Sequence, residues 1–108
     1  MPGHHIGVAS GLMPLFIVLG KLTDKAIPKM KEVKARDEEA EKNHKTAGGK
    51  LIALYYTISR YDFVAIVELP STLTLAKLVI EIGKWRMVIT ETMNALLPEQ
   101  MYEMTKGT

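Results

Sequence analysis

The chain has 108 residues, 47% of them apolar and 24% charged, with a formal net charge of +2 and no cysteine. That is one ordinary domain; two separate cores would not fit. A disulfide scaffold, a thiolate metal site and a cysteine nucleophile are excluded; so small a charge does not demand a nucleic acid or an anionic membrane as partner, and no apolar run is long enough to span a bilayer.

Residues 1–12, MPGHHIGVASGL, are glycine-rich and aperiodic and read as a flexible tail ahead of a single domain at 13–108. His4 and His5 have no third ligand at helix or hairpin spacing, so no metal site is expected there. No Lys or Arg precedes the apolar stretch and no small-residue cleavage site follows it. A secretory signal is therefore not expected, and the expected location is cytoplasmic.

The apolar run Leu15-Phe16-Ile17-Val18-Leu19, with Pro14 just ahead of it, predicts a first strand over about 14–22. Thr23-Asp24 turns the chain. A helix is predicted over 28–47, with Pro28 in its first turn and Gly48-Gly49 as its stop; a turn at Ile27 and a break near Ala35 stay open. Residues 51–57 and 61–69 read as two strands joined by Ile58-Ser59-Arg60, hence an antiparallel hairpin. Ser71 is the expected N-cap of a helix running to about Ile82. A fourth strand follows at about 86–93, then a short helix beginning at Pro98.

The order is β-α-β-β-α-β, an α+β, ferredoxin-like unit with a four-stranded antiparallel sheet. Right-handed crossovers put the first and third strands in the centre. Side chains alternate along a strand. Leu15, Ile17 and Leu19 therefore face away from Phe16 and Val18, and Phe63, Ala65 and Val67 away from Val64 and Ile66. Leu51, Ala53 and Tyr55 oppose Ile52, Leu54 and Tyr56 in the same way. Both faces of the sheet are apolar, yet two helices cover only one. A second copy packed sheet to sheet is the expected cover, since two-fold homodimers are the commonest assemblies. The second helix is apolar over roughly 200° of its circumference, wider than one sheet face needs, so a further contact is expected there.

The stretch from Tyr55 to Glu68, YYTISRYDFVAIVE, resembles the GYD-domain family, whose members typically read YYTxGRYDxVAIVE. Thr90-Glu91-Thr92-Met93-Asn94-Ala95 is similar to the family's TETLRAF ending. Leu19-Gly20-Lys21-Leu22-Thr23 and Gly48-Gly49-Lys50-Leu51 also fit. The resemblance covers about 13–104 and implies a ferredoxin-like fold of the dimeric α/β-barrel kind, without a settled activity. Ser59 stands where the family usually has a glycine, Ile89 and Asn94 where it often has arginine, and Asn43, His44 and Ala47 make the first helix's end more polar and smaller than usual.

Seven residues are candidates for a ligand site. Arg60, Tyr61 and Asp62, read as strand, put the two charges on one face with Tyr61 opposite. They suit either a polar ligand, with Asp62 as a base, or a salt bridge that orders the hairpin. Tyr55 and Tyr56, with Tyr61, offer aromatic walls and hydroxyl donors, or ordinary packing. Helical periodicity places Met30, Val33, Asp37, Ala40, His44 and Ala47 on one face. His44 and Asp37 are thus a proton-transfer pair or two exposed groups on a kinked helix. Glu91 faces a cleft between subunits or guards a sheet edge. Trp85-Arg86 is an interface anchor or a packed loop. Met87, Met93, Met101 and Met104 read as gap fillers rather than a metal site. The basic residues Lys25, Lys29, Lys31, Lys34 and Arg36 run straight into an acidic block without stacking aromatics, so nucleic acid is not expected. No phosphate loop, dinucleotide fingerprint or nucleophile elbow is present. The expectation is a small homo-oligomer that binds a small molecule or a partner in a pocket at the sheet or subunit interface, without cofactor. The alternative is a cofactor-free enzyme that moves a proton on a small organic substrate.

Overall fold

The computed structural model describes residues 9–107. Strand β1 is Leu15–Leu22. A 3-10 segment, Ile27–Glu32, leads into helix α1, Val33–Thr46. Then come β2 (Lys50–Tyr56), β3 (Phe63–Glu68), α2 (Thr72–Gly83), β4 (Val88–Ala95) and α3 (Pro98–Met104). The sheet order is β2-β3-β1-β4, with every neighbouring pair antiparallel. This is the α+β, ferredoxin-like arrangement expected, with β1 and β3 in the centre. Residues 1–8, with His4 and His5, lie outside the described residues.

The core lies on the side of the sheet that carries the two long helices. Phe16, Leu51, Leu54, Ala65, Val67, Leu69 and Leu75 form it, with Val18, Ala47, Phe63, Leu78 and Val79 packed around them. Phe16↔Val67 and Val18↔Ala65 are cross-strand partners, so their side chains share that face. Ile17↔Ile66 and Leu19↔Val64 share the opposite one.

Four expectations need correction. The first helix is not continuous over 28–47: Lys29 has non-helical angles (φ −109°, ψ 21°), and the α-helix starts at Val33 rather than breaking near Ala35. Pro28 fits the first turn and has no N–H of its own to donate, while the Lys29 N–H reaches back three residues to the Ala26 carbonyl at 2.9 Å, the tighter 3-10 pattern. β2 does not alternate strictly. Its register slips between Leu51 and Ala53, so Leu51 joins Leu54 on the core face while Ala53 and Tyr55 turn to the other. One extra residue in one strand flips the faces beyond it. β3 begins at Phe63, leaving Tyr61 and Asp62 in the connecting loop, and β4 begins at Val88. In both cases the loop backbone bonds to the end of β1 instead of extending the ladder.

Gly48-Gly49 terminates α1 as expected. Gly48 has φ 91°, and the Gly48 and Gly49 N–H groups donate to the Lys45 and His44 carbonyls at 3.0 and 2.9 Å. This is a Schellman cap. Gly49 has a second constraint, because a Cβ there would strike the Glu68 carbonyl.

Candidate functional site

The loop between β2 and β3 is folded on itself. Thr57 N–H donates to the Asp62 carbonyl at 2.9 Å, and the Thr57 hydroxyl to the Tyr61 carbonyl at 2.7 Å. Ser59 Oγ accepts from the Tyr61 N–H at 3.2 Å. Ser59 is not at positive φ, so this loop does not require the glycine usual in relatives. The Asp62 carboxylate accepts from the Leu22 N–H at 2.7 Å, and its own N–H donates to the Gly20 carbonyl at 2.7 Å. Asp62 thus finishes the end of β1; it makes no ion pair with Arg60.

Arg60 lies over the Tyr61 ring, 5.3 Å from its centroid, in place of the same-face pairing with Asp62 that a strand would impose. The Tyr61 hydroxyl donates to Glu91 on β4. That bond, first of all, raises the phenol above its ordinary pKa and keeps it a neutral donor. Arg60, Tyr61, Asp62 and Glu91 therefore gather around one end of the sheet.

The other three candidates stand elsewhere. Tyr55 sits on the open sheet face, partly exposed. Tyr56 points to the helix side and donates to both Asp37 oxygens at 2.9 and 2.8 Å. Burial, followed by that bond and the carboxylate's charge, pushes its pKa up, so it pins β2 to α1 as a neutral phenol. His44 is 7% exposed, and its Nδ1 lies 2.7 Å from the Ala40 carbonyl. Asp37 and His44 share the predicted helix face but turn to different partners. Burial lowers the imidazole's pKa, which favours the neutral ring.

An open recess of about 310 Å³ lies between residues 11–15, Asn94–Leu96 and Gln100; none of the seven candidates lines it. One feature escaped sequence reading. Glu68, 1% exposed, accepts from the Ser10 N–H and hydroxyl through Oε2 at 2.8 and 2.9 Å, while Oε1 has no partner among the described residues. A carboxylate closing the apolar run of a central strand was its only signal. Trp85 is 68% exposed, which excludes the packed-loop reading.

The side of the sheet opposite the helices carries Ile17, Leu19, Val64 and Ile66 across its two central strands, flanked by Tyr55, Ile89 and Met93. The flanking three are exposed. Glu91 lies across from Leu19 on the same face, and Glu68 and Lys21 mark its two ends, so the apolar part is the middle of the two central strands; neither long helix covers it.

The sequence matches the GYD domain over residues 16–105. It is 31% identical over 88 residues to a Thermus thermophilus protein named glutamine synthetase and cystathionine beta-lyase binding protein, an alignment covering 78% of this chain and 90% of that relative. No solved structure matches significantly.

Proposed function

The chain belongs to the GYD-domain family, and from that premise we propose that it is a small binding protein that pairs through its sheet and presents the rest of its surface to a partner protein. The observation that carries this reading is the apolar sheet face that neither long helix covers among the described residues. Apolar surface removed from water contributes about 25 cal/mol per Å². A face that is apolar across the middle of both central strands is complementary to itself across a two-fold axis, where each copy meets the same patch on the other. The relative's name supports a protein as the further partner. The host's own glutamine synthetase and cystathionine β-lyase are the first partners to assay.

Sedimentation velocity tests the pairing. The wild type is expected to sediment as a dimer or larger at micromolar concentration. Ile66→Lys, which sets a charge in the middle of the face, is expected to sediment near the 12.0 kDa of one chain with unchanged far-UV circular dichroism. A wild type that sediments as a single chain overturns the pairing.

The Tyr61–Glu91 bond favours a second reading, in which two paired sheets enclose a small polar molecule with this donor–acceptor pair at the rim. Retention of a small molecule by the native assembly but not by Tyr61→Phe supports that reading over the first. Native mass spectrometry showing an empty assembly removes it.

A further inference from the structure

The two loops at the Leu22 end of β1 are distant in sequence and adjacent in space. The 57–62 loop is tied to β1 through Asp62, and Lys21 Nζ lies 3.4 Å from the Arg60 carbonyl. The loop entering β4 is tied to the same end. Thr23 N–H donates to the Met87 carbonyl at 3.0 Å, and the Thr23 hydroxyl to the Arg86 carbonyl at 2.5 Å. These bonds hold Arg86 at φ 55°, the left-handed region that a Cβ disfavours. This strained turn follows directly on Trp85.

We propose that this loop end, with Trp85, Ile58 and Arg60 at its surface, is a docking site for an acidic segment of a partner protein that also carries apolar side chains. The proposal rests on the protein-binding role above and adds the chemistry of the partner. Ile58 is fully exposed and Trp85 two-thirds exposed; a tryptophan gains most from burial at an interface, and Trp, Tyr and Arg dominate binding hot spots. The charge is one-sided. Lys21, Arg60 and Arg86 are exposed, and none belongs to an ion pair among the described residues. The neighbouring carboxylates are already engaged: Asp62 by the Leu22 N–H, Glu91 by Tyr61, and Glu81 by Lys84 at 2.9 Å. Asp24 remains, offset by adjacent Lys25. The stacking of Arg60 on Tyr61 holds its guanidinium in place before a partner arrives, which lowers the ordering cost of a charge-assisted contact. An aliphatic anchor beside only three unpaired cations fits a protein better than a nucleic acid, which needs a longer basic track with several stacking rings.

Trp85 is the chain's single tryptophan, so its emission reports on this surface directly. The full chain is titrated with a short Asp/Glu-rich peptide carrying two leucines, with its lysine counterpart and with a thymidine oligonucleotide. The acidic peptide alone is expected to blue-shift the emission. Its affinity should fall about tenfold in Arg60→Glu, the size of one strong charge-assisted contact, and severalfold in Ile58→Ser and at raised salt. Both substituted side chains are exposed, so the fold is retained. No shift with the acidic peptide, an equal response to the lysine peptide or the oligonucleotide, or unchanged affinity in both variants overturns the proposal. The monomeric Ile66→Lys variant is expected to give the same shift, which separates this surface from the pairing face. If a partner enzyme binds while Arg60→Glu and Ile58→Ser leave that binding intact, this assignment fails and the binding role stands.

Discussion

His44 shows how a side chain's setting changes its chemistry. On sequence it is a candidate proton carrier. In the fold it lies against the sheet with Nδ1 on its own helix's Ala40 carbonyl, and burial lowers its pKa below 6.5. The unfolded chain takes up a proton near 6.5, whereas the folded ring resists it until a lower pH. The folded state therefore binds fewer protons in that window, so the stability contribution is complete above about pH 6.5 and is lost as pH falls. The urea midpoint of the wild type should drop more between about pH 7.5 and 5 than that of His44→Gln. Parallel pH profiles would remove His44 as the cause. Asp62 shows the same contrast. Its carboxylate was legible as a candidate base, but its partner, the Leu22 N–H, is 40 positions away, and local spacing carries no trace of that bond. The face shared by Asp37 and His44 was legible from the helical period; the Tyr56 hydroxyl that takes up Asp37 was not.

At the level of elements, the helix stops and caps were the most legible features because their causes are local. Ser71 is the N-cap of α2: its hydroxyl accepts from the Thr74 N–H at 3.1 Å. Ser71→Ala should cost about 1 kcal/mol, read as a lowered urea midpoint at unchanged slope, whereas Ser71→Asp should keep most of the stability. Equal losses in both would show that the cap is not what Ser71 contributes. The misplaced strand ends have a non-local cause. Tyr61 and Asp62 have strand-like neighbours, but their backbone groups bond to Thr57 and Gly20, so the ladder starts two residues later. The slip at Ile52 belongs to the same class, since a bulge depends on what the partner strand offers. The width of α2's apolar surface was read correctly. Leu75 is buried against the core, Leu78 and Val79 pack beside it, and Leu73 and Ile80 remain exposed.

For the whole molecule, one layer of helices on a sheet that is apolar on both sides leaves surface to bury. If pairing through the sheet stabilises the fold, the unfolding midpoint must depend on protein concentration, since association shifts folding by mass action. The thermal midpoint of the wild type is expected to rise by several degrees over a hundredfold increase in concentration, while that of Ile66→Lys stays constant. A wild-type midpoint independent of concentration would contradict an assembly that stabilises the fold. No helix among the described residues is long and apolar enough to cross a membrane.

The order of elements, the central placement of β1 and β3 and the two-sided apolar character of the sheet were determined by sequence alone. Alternation and helical periodicity are local rules, and each strand or helix obeys them before it meets its neighbours. Tertiary structure decided which candidate residues meet. It drew Arg60, Tyr61, Asp62 and Glu91 to one end of the sheet and sent Tyr56 and His44 to the helix side. It also brought Trp85 to the same end as a loop far earlier in the chain. Those outcomes depend on backbone donors and acceptors satisfied across long separations, where the partner of each group is chosen by the packed chain as a whole.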